Sequence, residues 1–321
     1  MTSRQHPLHS GFDAASTASD VLAGLDLHGK TAVVTGGHSG LGLETTRALA
    51  RAGANVIVGA RSVEAARDAT RGMAGVESVA LDLADLASVA AFAARFVDAR
   101  RDVHVVINSA GVMACPETRV GDGWEAQMAV NHLGHHALVN RLWPALAHGH
   151  GARVVAVSSL GHRLSPIRWD DVQFANGYDK WLAYGQSKTA NALFAVQLDA
   201  LGAGYGVRAY SLHPGKIATP LQRHLTREEM MAQGWVDEHG APIDPTFKTP
   251  AQGAATQVWA ATSPRLAETG GVYCEDCDVA VVTRGNEESG VRPHAIDPED
   301  AERLWASSAA LTGVDAFAAR R

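Results

Sequence analysis

The feature that most constrains this chain is an alternation of two textures along its length. Short β-branched runs, bounded by Gly or Asp, are each followed by a longer alanine-rich stretch. The runs are Lys30–Thr35, Ala54–Gly59, Glu77–Leu81, Val103–Asn108, Arg153–Ser158 and Val207–Leu212, then Gly271–Tyr273 leading into Val279–Val282. Their residues are almost continuously apolar rather than alternating, the pattern of strands covered on both faces. Helical stretches between such strands imply right-handed crossovers and a parallel sheet. The expected fold is α/β: a single doubly wound domain over residues 27–321, with a seven-stranded parallel sheet flanked by helices. Residues 1–26 read as an arm on the surface, with a short helical piece from Ala18 to Leu25.

One stretch departs from the alternation. Residues 217–249 are polar, mixed and punctuated by Pro. A segment this long without its own pattern is usually functional or mobile. It follows the sixth strand, at the carboxyl edge where open α/β sheets bind ligands, and is expected to be a substrate lid.

Composition excludes several classes. Hydrophobic residues make up 46% of the 321 and charged residues 19%, with 32 Gly, which is a globular composition. A net charge of -6 with no basic cluster leaves no electrostatic footprint for nucleic acid. Three cysteines are too few for a disulfide framework. No apolar run approaches the ~20 residues of a membrane span. The opening MTSRQHPLHSGFDAAST lacks the apolar core of a secretory signal. The expected setting is cytoplasmic.

The first run leads into Thr35-Gly36-Gly37-His38-Ser39-Gly40-Leu41-Gly42, and a helical stretch follows. Glycines serve where backbone must turn tightly and approach a pyrophosphate. The free N–H groups and dipole of the next helix favour that anion. Gly36, His38, Ser39, Gly40, Leu41 and Gly42 are therefore candidate cofactor residues, against the alternative of an ordinary glycine turn. The second run ends at Ala60-Arg61-Ser62, with no acid until Glu64. An acid there would serve the ribose hydroxyls of NAD. Arg61 is instead suited to a 2′-phosphate, with His38 beside it, or it is a solvated residue at a helix start. NADP(H) is the preferred cofactor and NAD(H) the alternative. Asp82, followed by Leu83, either meets an adenine amine or caps the next helix. Asn108-Ser109-Ala110-Gly111 ends the fourth run; small residues let backbone and cofactor lie close, and Asn108 either joins them or braces the sheet edge.

Tyr184 and Lys188 stand four apart in YGQSK, at the start of a helical run. That spacing puts both side chains on one helix face. An adjacent ammonium favours the phenolate, so the pair can serve as a general acid/base. Ser159, preferred over Ser158, ends the fifth run 25 residues before Tyr184 and can hold a carbonyl oxygen beside it. Asn131 sits mid-helix, where it can distort the turn and hold a water linked to the lysine. His132, His135 and His136 have the spacing of a metal face, but there is no HExxH order and acid–base chemistry of this type needs no metal. Cys274 and Cys277 form a lone C-x-x-C without a second pair, which reads as two buried thiols.

In order along residues 29–283 stand TGGHSGLG, LDL, NSAG, the Asn131 helix, VSS, YGQSK and HPG (His213-Pro214-Gly215). The sequence thereby resembles the short-chain dehydrogenase/reductase family, which has a Rossmann fold. The resemblance implies that Asn131, Ser159, Tyr184 and Lys188 form a catalytic tetrad, and that Lys188 also holds the nicotinamide ribose. It further implies that Pro214, Gly215, Ile217 and Thr219 lie near the carboxamide. Homodimers or homotetramers through helices at residues 122–147 and 181–203 are implied in the same way. Within the family, the long gap from Ser159 to Tyr184, the segment VNHLGHH, the arm and YCEDCDVA look like the branch of retinol dehydrogenases, WW-domain oxidoreductase and plastid inner-envelope translocon dehydrogenases. NSAG stands where that family usually has NNAG. The retinoid enzymes carry an N-terminal membrane anchor that is not seen in this sequence, which points away from retinol and toward soluble bacterial relatives.

The expected activity is hydride transfer between NADP(H) and a secondary alcohol, ketone or aldehyde on a hydrophobic, polycyclic or steroid-like small molecule. Met230, Met231 and Trp235 in the lid are placed to close over such a ligand or to pack the lid onto the body. The alternative is a dinucleotide-binding sensor or scaffold without turnover; the filled tetrad speaks against it.

Overall fold

The computed structural model describes residues 4–285 and 287–318. Among the described residues are ten strands: β1 (Thr31–Thr35), β2 (Asn55–Ala60), β3 (Val76–Ala80), β4 (Val105–Asn108), β5 (Arg119–Val120), β6 (Trp124–Glu125), β7 (Arg153–Val157), β8 (Arg208–His213), β9 (Val272–Glu275) and β10 (Asp278–Val279). The helices are α1 (Ala18–Leu22), α2 (Gly40–Arg51), α3 (Val63–Ala69), α4 (Leu86–Val97), α5 (Ala126–Met128), α6 (Gly134–His148), α7 (Lys180–Gly202), α8 (Arg227–Ala232), α9 (Pro250–Gly253), α10 (Ala255–Thr262) and α11 (Pro298–Thr312).

The main sheet has the order β10-β9-β8-β7-β4-β1-β2-β3. All pairings from β9 to β3 are parallel. Successive side chains enter opposite cores, which is why the runs read as unbroken apolar stretches. Val34, Val56 and Val58 join Leu49, Trp259 and Tyr210 on one face, with α1, α2 and α10. Val33, Ile57 and Val106 join Leu138, Leu142 and Phe194 on the other, with α4, α6 and α7. The chain leaves β1 toward β2 and β3, then crosses back to β4, so a crevice opens beyond the carboxyl ends of β1 and β4.

Two expectations are corrected and one element is added. The seventh run is not one strand. It folds as a hairpin, with β10 antiparallel to β9, so the sheet has eight strands. The turn is made by Asp276 (φ 49°) and Cys277 (φ 60°) in the left-handed region, without a glycine. A second hairpin, β5–β6, was not read from the sequence, although Gly121 (φ 55°) and Gly123 (φ 91°) make its turn. Nor does the N-terminal arm merely lie on the surface. Ala18, Val21 and Leu22 are buried, on a helix held by a capping box between Thr17 and Asp20. The Gln5 side chain donates to the carbonyls of Tyr273 (2.8 Å) and Ala280 (2.6 Å) and accepts from the Tyr273 N–H (2.9 Å). The Asp278 carboxylate accepts from the N–H groups of Leu8 and Ser10. The arm is thereby bonded across the edge hairpin.

Candidate active site

A cleft of about 1570 Å³ runs along the carboxyl ends of the parallel strands. Every residue of the expected tetrad and cofactor set lines it except Asn108 and Asn131, which are buried; His132, His135, His136, Met230, Met231, Cys274 and Cys277 do not line it. A separate groove of about 840 Å³ along the free edge of β3 contains none of them.

At one end the backbone is arranged for close approach. Gly36 (φ 65°) and Gly40 (φ 50°) take conformations that favour glycine. A Cβ on Gly42 would lie 2.4 Å from the Gly36 carbonyl oxygen, and one on Gly36 would lie 3.1 Å from Ala110 Cα. The twelve-residue α2 begins behind this loop, and its N-cap Ser39 makes no side-chain cap bond. Its first N–H groups are left for another acceptor. His38 Nδ1 is buried without a partner, and its ring pKa is lowered by burial and then by the Arg61 charge. Arg61 is exposed at the cleft, while Ser62 caps α3. Asp82 does not cap α4; Asp85 does, and the Asp82 carboxylate accepts from Ala84 N–H (3.0 Å). Both amide atoms of Asn108, at the end of β4, are buried without partners. These orphaned atoms, the glycine cradle and the uncapped helix start fit a dinucleotide with its phosphates on α2.

At the other end Tyr184 and Lys188 share one face of α7. Tyr184 is only 4% exposed, and burial pushes its pKa up to about 12; a side-chain hydrogen bond with Ser159 works the other way. Burial lowers Lys188 to about 8. The adjacent ammonium was expected to lower the tyrosine, but desolvation dominates. The Lys188 Nζ lies 5.6 Å from the Tyr184 ring centre and donates to the Val157 carbonyl (3.1 Å). Ser158 donates to the Lys188 carbonyl (2.7 Å), while the Ser159 hydroxyl accepts from Gly161 N–H (3.0 Å) and faces Tyr184.

Asn131 sits in a π-helical turn, Ala129–Leu133, between α5 and α6. This is the distortion expected of it, and such turns cluster at functional sites. Its side chain grips Val112 from both sides: Nδ2 donates to the carbonyl (2.9 Å) and Oδ1 accepts from the N–H (2.8 Å). It also donates to Ser187 Oγ (2.9 Å). A Cβ on Gly111 would lie 3.0 Å from Asn131 Oδ1 and 3.8 Å from Lys188 Nζ, so glycine keeps that space open.

Beyond β8, Pro214 is buried and Gly215 (φ 101°) turns the chain against Lys248. Ile217 packs on Gly253, and Thr219 packs over Gly40, bringing this segment across the glycine loop. Thr219 caps a 3-10 turn at Pro220–His224. The segment 217–249 is folded rather than patternless: it contains that turn, α8 and bridges between Lys216 and Phe247 and between Val236 and Pro242. Ion pairs join Lys216 to Asp244 (2.8 Å) and Lys180 to Glu229. Met113, Ala114, Leu225 and Tyr184 form a small apolar core, against which Trp181, Leu221, Met230 and Trp235 pack. Met231 is exposed instead. Sequence reasoning missed Met113, Trp181, Leu225 and Phe247; Trp181, three residues before Tyr184 on the same helix, was within reach of the spacing argument.

His132 bonds Ser308 (2.7 Å), and His135 bonds Thr35 (2.8 Å) and the Asn131 carbonyl (2.9 Å). Among the described residues no group of His, Cys, Asp or Glu is placed to hold a metal. Cys274 and Cys277 are buried free thiols, both pushed up in pKa by burial. No helix among the described residues is long and apolar enough to cross a membrane.

The sequence model of the short chain dehydrogenase family matches residues 30–230, which carry the phosphate loop, Asn131, Ser159, Tyr184 and Lys188. The chain belongs to this family. A "Probable oxidoreductase" of Streptomyces antibioticus is 46% identical over 293 residues, spanning 88% of this chain and 97% of the relative. "Retinol dehydrogenase 12" of Bos taurus is 37% identical over 298 residues, 90% of this chain and 88% of the relative. Among solved structures, an uncharacterised protein from Mycobacterium paratuberculosis superposes with a TM-score of 0.71 at 35% identity, covering 94% of this chain and 98% of that one. A Pseudomonas aeruginosa RhlG/NADP active-site complex has a TM-score of 0.60 at 25% identity, covering 77% and 94%. This family member is thus an NAD(P)-dependent oxidoreductase with a mostly parallel α/β sheet.

Proposed function

We propose that the protein is an NADP(H)-preferring oxidoreductase acting on a secondary alcohol, ketone or aldehyde of a hydrophobic, polycyclic or steroid-like molecule. The observation that carries the reading is the placement of the Tyr184 hydroxyl. It lies buried beside Ser159, between a phosphate cradle and an apolar core built partly from residues 221–235. When bound, the nicotinamide gives or takes the hydride. Tyr184 donates its proton to the carbonyl oxygen in reduction, and as phenolate takes the hydroxyl proton in oxidation. Ser159 orients that oxygen. Lys188 holds the ribose and, once its charge is engaged there, favours the phenolate. Asn131 fixes the Val112 segment and, through its π-turn, the approach to Lys188.

Arg61 and His38 favour a 2′-phosphate; no acid stands at that position to favour the NAD ribose. Ser39, Gly40, Leu41 and Gly42 would hold the pyrophosphate, Asp82 and Leu83 the adenine, and Asn108, Ala110, Gly111, Pro214, Gly215, Ile217 and Thr219 the rest of the dinucleotide. The same proposal holds the chain as a cytoplasmic homodimer or homotetramer.

The test is NADPH and NADH binding followed by turnover with bulky ketones and secondary alcohols. Arg61→Asp weakens NADPH about tenfold or more while sparing NADH, since a charge-assisted phosphate contact is lost and a repulsive one added. Tighter binding of NADH by the wild-type protein contradicts the cofactor assignment.

A further inference from the structure

The peptide bond between Ser159 and Leu160 is held at both ends by side chains outside the tetrad. Its carbonyl accepts from His162 Nδ1 (2.7 Å) and from the Tyr273 hydroxyl (3.1 Å). Its N–H donates to His213 Nδ1 (3.0 Å). Each histidine has its tautomer fixed by what it touches. His162 Nε2 accepts the Arg292 N–H (3.1 Å), so its proton sits on Nδ1. His213 Nδ1 accepts, so its proton sits on Nε2. Burial lowers the two rings to about 4 and about 3, which keeps both neutral and both acceptors available near neutral pH. The supports continue outward. Thr189 and His294 bond the His162 carbonyl, and the Gln5 amide bonds both backbone groups of Tyr273.

We propose that His213 and His162, with the Tyr273 hydroxyl, are positioning residues that lock the peptide plane directly after Ser159 and so set its hydroxyl against Tyr184. None of the three needs to touch the reacting atoms for this. The inference rests on the acid–base reading of Tyr184 and Ser159. Backbone groups hold the serine as well: Ser158 N–H donates to the Leu212 carbonyl (2.9 Å), His162 N–H to the Ser159 carbonyl (3.1 Å) and Gly161 N–H to the Ser159 hydroxyl (3.0 Å), but none of them engages the Leu160 N–H, which His213 alone accepts. Without the clamp the Leu160 N–H loses its acceptor and the peptide plane tilts about the backbone bonds that remain, carrying the Ser159 hydroxyl with it; misplacement by about 1 Å can cost about 100-fold in rate.

The test compares His213→Leu, His213→Asn and Tyr273→Phe in the full chain, using NADPH and the ketones the wild type reduces. Asparagine returns an acceptor near the Nδ1 position; leucine does not. Expected are a kcat loss of about 10- to 100-fold in His213→Leu with KM and NADPH affinity within about threefold. His213→Asn recovers kcat to within about threefold of wild type, and Tyr273→Phe loses about 3- to 10-fold. Leu160 amide exchange is protected in wild type and His213→Asn and released in His213→Leu. An undiminished kcat in His213→Leu, an equal loss in His213→Asn, or a change in KM alone overturns the proposal. A wild type that binds NADPH but reduces nothing overturns the functional reading instead, and unprotected Leu160 exchange in that wild type overturns the clamp as well.

Discussion

At the scale of single residues, the Tyr184–Lys188 pair shows what spacing conveys and what it omits. A separation of four on a helix placed both side chains on one face, and they share it. The direction of the tyrosine shift was not legible, because it depends on burial, which a local pattern does not contain. Burial favours the neutral form of both groups. For Lys188 the sign is definite: its folded pKa lies below the unfolded one, so the unfolded chain binds more protons between pH 8 and 10.5, and stability rises across that window. At pH 7 the native lysine is charged in a buried site, so Lys188→Met in the cofactor-free protein gains about 2 kcal/mol by denaturant unfolding while losing turnover. A less stable variant contradicts the burial account. Gly161 is a second residue that sequence reasoning passed over. Its missing Cβ would stand 2.7 Å from Tyr184 Cε1. Gly161→Ala pushes the ring and lowers kcat about tenfold or more with NADPH affinity retained, as read by steady-state kinetics and cofactor fluorescence.

At the scale of elements, the strands were legible where both faces are buried and failed where the chain reverses. Val33 and Val34 enter opposite cores, so no alternation obscured β1. The β9–β10 turn was hidden because Asp276 and Cys277, not glycine, take the left-handed conformation. The docking of the arm was hidden too, since it depends on a carboxylate some 270 positions away. That attachment is testable. Asp278→Ala leaves the N–H groups of Leu8 and Ser10 without their acceptor and costs about 1–3 kcal/mol. Amide exchange at residues 8–10 then rises first, ahead of the main sheet; unchanged exchange there means the arm is held by Gln5 and α1 without Asp278. Segment 217–249 was recognised by its position after the sixth strand, but its capped turn and helix were not, although Thr226 and Glu229 make a capping box.

At the scale of the whole molecule, one cleft collects the ends of strands far apart in sequence, and the order of strands accounts for it. The outward face of α7, expected to meet a second copy, is covered by α11. The ring of Trp305 stacks on Phe194 with centroids 5.7 Å apart and planes 8° from parallel. Light scattering of the purified chain therefore discriminates sharply: two or four times 33.7 kDa supports the proposed assembly, and 33.7 kDa alone means α11 has taken the place of the partner helix. The central claim is that a buried tyrosine proton is moved beneath an apolar lid. Steady-state oxidation of NADPH by bulky ketones, compared between wild type and Tyr184→Phe, tests it most directly. The account predicts turnover in wild type and a loss of about 100-fold or more in the variant, with NADPH binding within about twofold; a variant that keeps its turnover contradicts it.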